Sequence, residues 1–198
     1  MEIPVIFEDD WLLVVNKPAS LLTIPGHKGE PQTLTSLLGL HPCHRLDKET
    51  SGLIIYAKGK STQQKTMALF HGHKVKKTYI AFVQGKIERP QGEIKQRIEG
   101  QPALTRYRVI EQRSDFAVVE VQPFTGRTNQ IRIHFKSIGH PLVGEKKFAF
   151  RKDFSLKANR LCLHAQILEF PHPITGKTIS LKTELPAGMK NFLEKHVY

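Results

Sequence analysis

Cysteine, long apolar runs and acidic residues are all scarce in this sequence. Its two cysteines, Cys43 and Cys162, lie far apart and outside any Cys-x-x-Cys pair. A disulfide scaffold and a standard zinc finger are therefore not expected, and a reducing cytoplasm is the expected compartment. No stretch approaches the roughly 18 consecutive apolar residues that a membrane span needs, so no membrane partner is expected. The N-terminal segment, with Glu2 and the acids at 8–10, lacks the basic and apolar regions of a secretory signal. The Gly-rich patterns that cradle nucleotide phosphates are missing, which leaves nucleotide hydrolysis and dinucleotide binding without support. The His-x-Glu and Pro-Cys-x-x-Cys signatures of zinc base deaminases are missing as well.

The shortage of acid is what points to a partner. Thirty Lys and Arg face 18 Asp and Glu, a formal charge of +12 over 198 residues. Hydrophobic residues at 39% and charged residues at 24% fit a soluble globular chain with a real core. The surplus is concentrated in two windows. Residues 58–77 hold six lysines and no acid, and residues 127–160 hold nine Lys and Arg against Glu145 and Asp153. Each window alone reads as a solvated face. Together, in an otherwise near-neutral chain, they read as walls of a phosphate-binding groove.

Local patterning predicts a mixed, strand-rich α/β domain. Residues 4–7 and 11–15 read as short strands around an acidic turn, and residues 53–56 as a buried strand. Residues 23–32, with Pro25, Gly26, Gly29 and Pro31, read as a loop. Ser61 to Gln64 has the form of a capping box and predicts a helix start. Alternation around Tyr107 and Val109, and again over residues 179–185, predicts strands with one wetter face. Thr128 is expected to cap a helix whose stripe is Ile131, Phe135 and Ile138, ending at Gly139 and Pro141. A last helix is expected over residues 187–195. There is no repeat, low-complexity tract or flexible linker.

Two polar clusters carry chemistry. The first, His44-Arg45-Leu46-Asp47-Lys48-Glu49-Thr50-Ser51-Gly52, precedes the buried strand, a place from which a loop can be held rigidly. Arg45 and Lys48 flank Asp47 and favour its ionised, nucleophilic form. The competing reading is a turn aspartate that bonds backbone amides near Thr50 and Ser51. Asp47 and Glu49 would share a face only about 7 Å apart in an extended segment, weak support for a glycosidase-like pair. The second cluster runs from Thr125 to Arg132. Its helix-start amides and Arg127 suit a phosphate, whereas Arg132, a turn further in, could reach a carboxylate. Both arginines also read as ordinary surface residues. Tyr79 is either a sheet aromatic or a platform on which a base stacks. His41, Cys43, His44, Cys162 and His164 do not have the spacing of a zinc site, and no metal is expected.

In order and spacing, these segments resemble the RluA-type pseudouridine synthases. The resemblance rests on Val15-Asn16-Lys17-Pro18, on His44 to Gly52, and on Lys77-Thr78-Tyr79. It continues through Gly126-Arg127-Thr128 with Gln130-Ile131-Arg132, Gly139-His140-Pro141-Leu142, Gly144, and Leu161 to Ala165. It implies an α/β fold with a central mixed, mostly antiparallel sheet in two sub-lobes, flanking helices and a central cleft. Residues 1–198 would form a single catalytic domain that isomerises uridine in RNA to pseudouridine without a cofactor. It implies Asp47 as the nucleophile, or as the group that assists glycal formation. Tyr79 would pack on the base and help remove the C5 proton, and Arg132 would pair with the catalytic carboxylate. Leu163 would line the pocket and Arg45 would fill the stack left by the extruded base. His44, Arg127 and Gln130 complete the expected substrate-binding set. Lys74, Lys76, Lys146 and Lys147 are the expected backbone contacts of the groove.

One departure is Asn129, where the family usually has histidine. The catalytic motifs begin almost at residue 5, so no appended N-terminal RNA-binding domain is expected. The segment Leu21 to Gly26 is similar to the short members of the family, some of which modify both ribosomal RNA and a tRNA stem-loop. Those RNAs are the expected partners, and a monomer is the expected state. A non-catalytic RNA-binding or RNA-chaperone module on the same scaffold is the alternative. A base-excising glycosidase that releases free uracil is the third reading.

Overall fold

The computed structural model describes residues 2–26, 32–148, 156 and 158–196. The chain divides into two compact units, Met1–Lys77 with Ala165–Glu184, and Thr78–His164 with Leu185–Tyr198. Gly29 and Pro31 of the expected loop lie outside the described residues.

The first unit is organised around β4 (Ser51–Ala57), in which all seven residues are buried. Strand β2 (Leu12–Lys17) pairs antiparallel with it, Leu12 opposite Ala57 and Lys17 opposite Gly52. Strand β1 (Val5–Glu8) pairs with β2 through a bulge between Val5 and Phe7, and β3 (His41–Pro42) pairs with the far end of β4. On the other side of β4 lies β9 (Leu163–Pro171), followed by β10 (Thr178–Lys182). Leu12, Val14, Leu53, Ile55, Leu168 and Phe170 form its core, and Phe70 and Leu69 pack against them. The β10 alternation predicted from sequence is present, with Ile179 and Leu181 turned to this core.

Helix α2 (Lys60–His71) supplies Leu69 and Phe70, but it does not start with the predicted capping box. Its N-cap is Gly59, without a side-chain bond, and Gln63 instead donates to the Pro42 carbonyl at 2.8 Å. A capping box does occur at α1 (Leu34–Leu38), where Thr33 and Ser36 bond reciprocally and Gly39 closes the helix with φ 64°. Five residues are too few for the periodicity that would have revealed this helix.

The second unit has strand order β5-β8-β7-β6, formed by β5 (Lys76–Gln84), β6 (Gln91–Ile94), β7 (Thr105–Gln112) and β8 (Phe116–Pro123), with β6, β7 and β8 as a meander and β5 beside β8. These pairs are antiparallel, as expected. Helix α4 (Ala187–Lys195) closes its core by placing Met189 and Phe192 against Phe82 and Phe116. The Phe116 and Phe192 rings meet edge to face at 5.2 Å.

Helix α3 (Gln130–Ser137) corrects a second sequence expectation. Its N-cap is Asn129, not Thr128, with φ 55° in the left-handed region, which asparagine tolerates better than most residues. Ile131 and Phe135 are buried as predicted, but Ile138 lies just past the last turn and is 39% exposed. No helix among the described residues is long and apolar enough to cross a membrane.

Candidate active site

The loop carrying Asp47 joins β3 to β4 and is held from below by groups distant in sequence. The Thr23 hydroxyl donates to the Leu46 carbonyl at 3.0 Å and accepts from the Leu46 amide at 3.2 Å. Both peptide groups of the residue before Asp47 are thus tied to one buried side chain. Lys17, fully buried, donates to the carbonyls of Pro18 (2.9 Å), Leu21 (2.8 Å) and Lys48 (3.3 Å). The Asp47 carbonyl accepts from the Thr50 amide at 3.1 Å and closes the turn, leaving Asp47 half-buried. Gly52 ends the loop with φ 120°, and a Cβ there would overlap the Ala165 backbone. Arg45 and Lys48 are exposed on either side of Leu46 and Asp47.

His44 lies in this loop but has an internal role. Its Nε2 accepts from the Ile55 amide at 3.1 Å, and its ring lies 4.6 Å from that of Phe70. Burial, then the nearby Lys77 charge, push its pKa down to about 3, against a smaller upward pull from the Arg45 backbone. A neutral imidazole accepting a strand amide positions the loop.

In the second unit, Tyr79 stands on β5 opposite Val121 and is 9% exposed. Leu163, 3% exposed, begins β9, and the Arg160 guanidinium donates to its carbonyl at 3.4 Å. The Gly126-Arg127-Thr128 turn is organised by Gln130. The Gln130 Oε1 accepts from the Thr125 hydroxyl (2.6 Å) and the Arg127 amide (3.1 Å), while its Nε2 donates to the Leu104 carbonyl and the Thr105 hydroxyl, each at 3.0 Å. Two donors and two acceptor sites complete the capacity of an amide. Gln130 therefore holds this turn in place. The Arg127 amide is taken by Gln130, and the Gln130 amide donates to the Arg127 carbonyl at 3.1 Å. The Arg127 side chain is exposed, with its Nε 3.3 Å from the Pro102 carbonyl.

Arg132 is buried and forms a two-pronged pair with Glu145, Nε to Oε2 at 2.6 Å and Nη2 to Oε1 at 2.8 Å. Its Nη1 donates to Asn129 Oδ1 at 2.9 Å. Burial raises the Glu145 carboxyl pKa. The Arg132 hydrogen bonds, the Lys147 amide, the Arg132 charge and the Phe148 amide outweigh burial and hold it below the usual range. Glu145 escaped the sequence reading, although a lone acid between Arg132 and Lys146 in a basic window was a usable signal. Lys17 and Thr23 escaped as well, because a strand end and a loop residue carry no local mark of their partners.

The charged surface is mixed. Lys74, Lys146 and Lys147 are exposed, but Lys76 pairs with Glu169 at 3.0 Å and Lys147 Nζ lies 5.1 Å from the Phe148 ring. Arg151, Lys152 and Lys157 of the second basic window lie outside the described residues. Both cysteines are buried thiols whose pKa values burial pushes up to about 12, which suits core residues and not nucleophiles.

The family model described as RNA pseudouridylate synthase matches residues 11–137. The chain is 38% identical over 192 residues to the dual-specificity RNA pseudouridine synthase RluA of Vibrio cholerae, covering 86% of this chain and 78% of that protein. It is 34% identical to the protein of the same name in Haemophilus influenzae, covering 91% and 92%. An uncharacterized RNA pseudouridine synthase of Bacillus subtilis, YhcT, is 34% identical over 96% of this chain and 71% of its own length. Among solved structures, human RNA pseudouridylate synthase domain containing 4 superposes with a TM-score of 0.81 at 25% identity, covering 98% and 93% of the two chains. The motifs that anchor the loop of Asp47 and the helix of Arg132 thus sit in a fold and a sequence shared with these proteins over most of this chain, and the chain belongs to the RluA-type RNA pseudouridine synthase family.

Proposed function

We propose that this protein isomerises specific uridines in structured RNA, either ribosomal RNA or a tRNA stem-loop or both, to pseudouridine. The observation that carries the reading is Asp47, present in its motif on a loop that Thr23 and Lys17 hold from beneath. A carboxylate on a rigid loop is the condition for attack on a sugar carbon or for assisting departure of the base. The uridine is extruded at a cost of a few kcal/mol, offset by phosphate contacts and stacking. The bond from C1′ to N1 breaks, the uracil turns, and a bond from C1′ to C5 forms as the C5 proton leaves. Asp47 serves either as nucleophile at C1′ or as the base that yields a glycal. Tyr79 packs on the uracil and assists loss of the C5 proton, Arg132 balances the Asp47 charge, Leu163 lines the pocket, and Arg45 fills the vacated stack.

A cytoplasmic monomer acting without cofactor or metal completes the proposal. Enzyme relatives along the whole chain, together with the intact Asp47, Tyr79 and Arg132, disfavour a non-catalytic RNA-binding module. Mapping pseudouridine at single-nucleotide resolution in cells with and without the gene tests the reading. Specific sites should vanish without the gene and return with the wild-type chain, but not with Asp47→Ala or Asp47→Asn, both of which should still bind RNA. Sites restored by either variant would refute the assignment, and release of free uracil would favour a glycosidase.

A further inference from the structure

Glu145 is the only acid among residues 127–148 and is fully buried. A carboxylate in that position is costly unless its charge and lone pairs are matched. Both oxygens are committed: Oε2 to Arg132 Nε, and Oε1 to Arg132 Nη2 and to the amides of Lys147 (2.7 Å) and Phe148 (3.3 Å). The chain reaches this place by a turn in which the Glu145 amide donates to the Leu142 carbonyl, beside Gly144 at φ 78°. A Cβ at Gly144 would overlap the Arg160 carbonyl, so the turn leading into Glu145 is shaped for close approach.

Groups from three residues meet one guanidinium here. Glu145 holds its edge, Asn129 takes Nη1, and the Phe148 ring lies 5.2 Å from its Cζ. A buried ion pair is poor evidence of net stabilisation, since apolar residues of similar volume often do as well. What a fork of two parallel bonds does supply is orientation of a planar cation. We infer that Glu145 is a positioning residue of the reaction, acting through Arg132 by fixing the rotation of its guanidinium. Asn129 belongs to the same clamp, so the departure from the family's histidine is part of how this chain sets Arg132. The inference rests on the proposed function in so far as Arg132 works on Asp47.

The test uses the full chain and 5-tritiated uridine RNA prepared from cells lacking the gene, because bonding C5 to C1′ releases the C5 hydrogen. Glu145→Gln should slow single-turnover tritium release by about 100-fold, the scale of a misplaced catalytic group, while filter-retained RNA changes less than about threefold. Glu145→Asp should recover part of the rate. In an Arg132→Ala background, Glu145→Gln should have no further effect. Nitrogen-15 NMR of the Arg132 guanidinium should show restricted rotation in the wild-type protein and faster rotation in Glu145→Gln.

A Glu145→Gln rate near wild type overturns the inference. So does an equal loss in the presence and absence of Arg132, or an unchanged guanidinium signal. Should Glu145→Gln not fold, a Glu145→Asp protein with wild-type rate and signal overturns it equally. Absence of tritium release by the wild-type chain refutes the proposed function instead, and the NMR comparison still decides whether Glu145 orients Arg132.

Discussion

The Lys17 ammonium lies 3.3 Å from the carbonyl of Lys48, one residue after Asp47. Lys17 ends β2, and its neighbour across the sheet is Gly52, where the Asp47 loop enters β4. A buried cation thus ties the first motif of the chain to the loop that bears the proposed nucleophile. Replacing it with methionine keeps the length of the side chain but leaves the carbonyls of Pro18, Leu21 and Lys48 without this donor. Each orphaned group costs about 1–3 kcal/mol. Lys17→Met should lower unfolding free energy by about 3 kcal/mol or more in urea titrations, and turnover should fall with it. Unchanged stability would show that these bonds are dispensable.

Gly52 should tolerate no side chain. Its φ of 120° strains any other residue, and the position of a Cβ is already occupied by Ala165 backbone atoms. Gly52→Ala should destabilise the protein by about 4 kcal/mol, a shift of roughly 8–16 °C in melting temperature for a chain of this size. Circular dichroism melts check this, and a shift below about 2 °C would contradict it.

Acid should weaken the protein through His44 before the carboxylates titrate. The folded pKa lies near 3, below the ordinary 6.5, because the ring is buried and near Lys77. Between those values the unfolded chain binds the extra proton, so stability rises with pH and is lost on acidification, by up to about 1.4 kcal/mol per pH unit. His44→Gln retains an acceptor and removes the titration. Its stability between pH 6.5 and 5 should fall less steeply than that of the wild type in urea unfolding. Parallel slopes would rule His44 out. Glu145, whose folded pKa is lowered, contributes stability present above the ordinary value of 4.5 and lost only below it.

Charge reversal at Lys146 and Lys147 should weaken RNA binding and flatten its dependence on salt. Each lost phosphate contact reduces the log–log slope by about 0.7–0.9. Lys74→Ala should reduce the slope more than Lys76→Ala, since Lys76 already pairs with Glu169. Filter binding over a salt series measures both. Slopes that do not move would remove these lysines from the RNA contact, leaving the Asp47 chemistry untouched.

The sequence by itself determined most of the element types, the polar loop before a buried strand, the motif that names the family and the surplus of positive charge. These are local or additive properties: the alternation in β7 and β10, the run in β4, the stripe of Ile131 and Phe135, the surplus of lysine. Tertiary structure alone decided how the site residues are held. Local pattern misplaced the caps of α2 and α3, because Gly59 and Asn129 outcompete Ser61 and Thr128 only in a folded context. It could not show that Gln130 ties its own turn to Leu104 and Thr105, that Thr23 grips Leu46 from 23 residues away, or that Glu145 is the partner of Arg132. A hydrogen bond across such distances in sequence leaves no period and no composition behind. It exists only once burial has removed water as the competing partner, and that is a property of the fold.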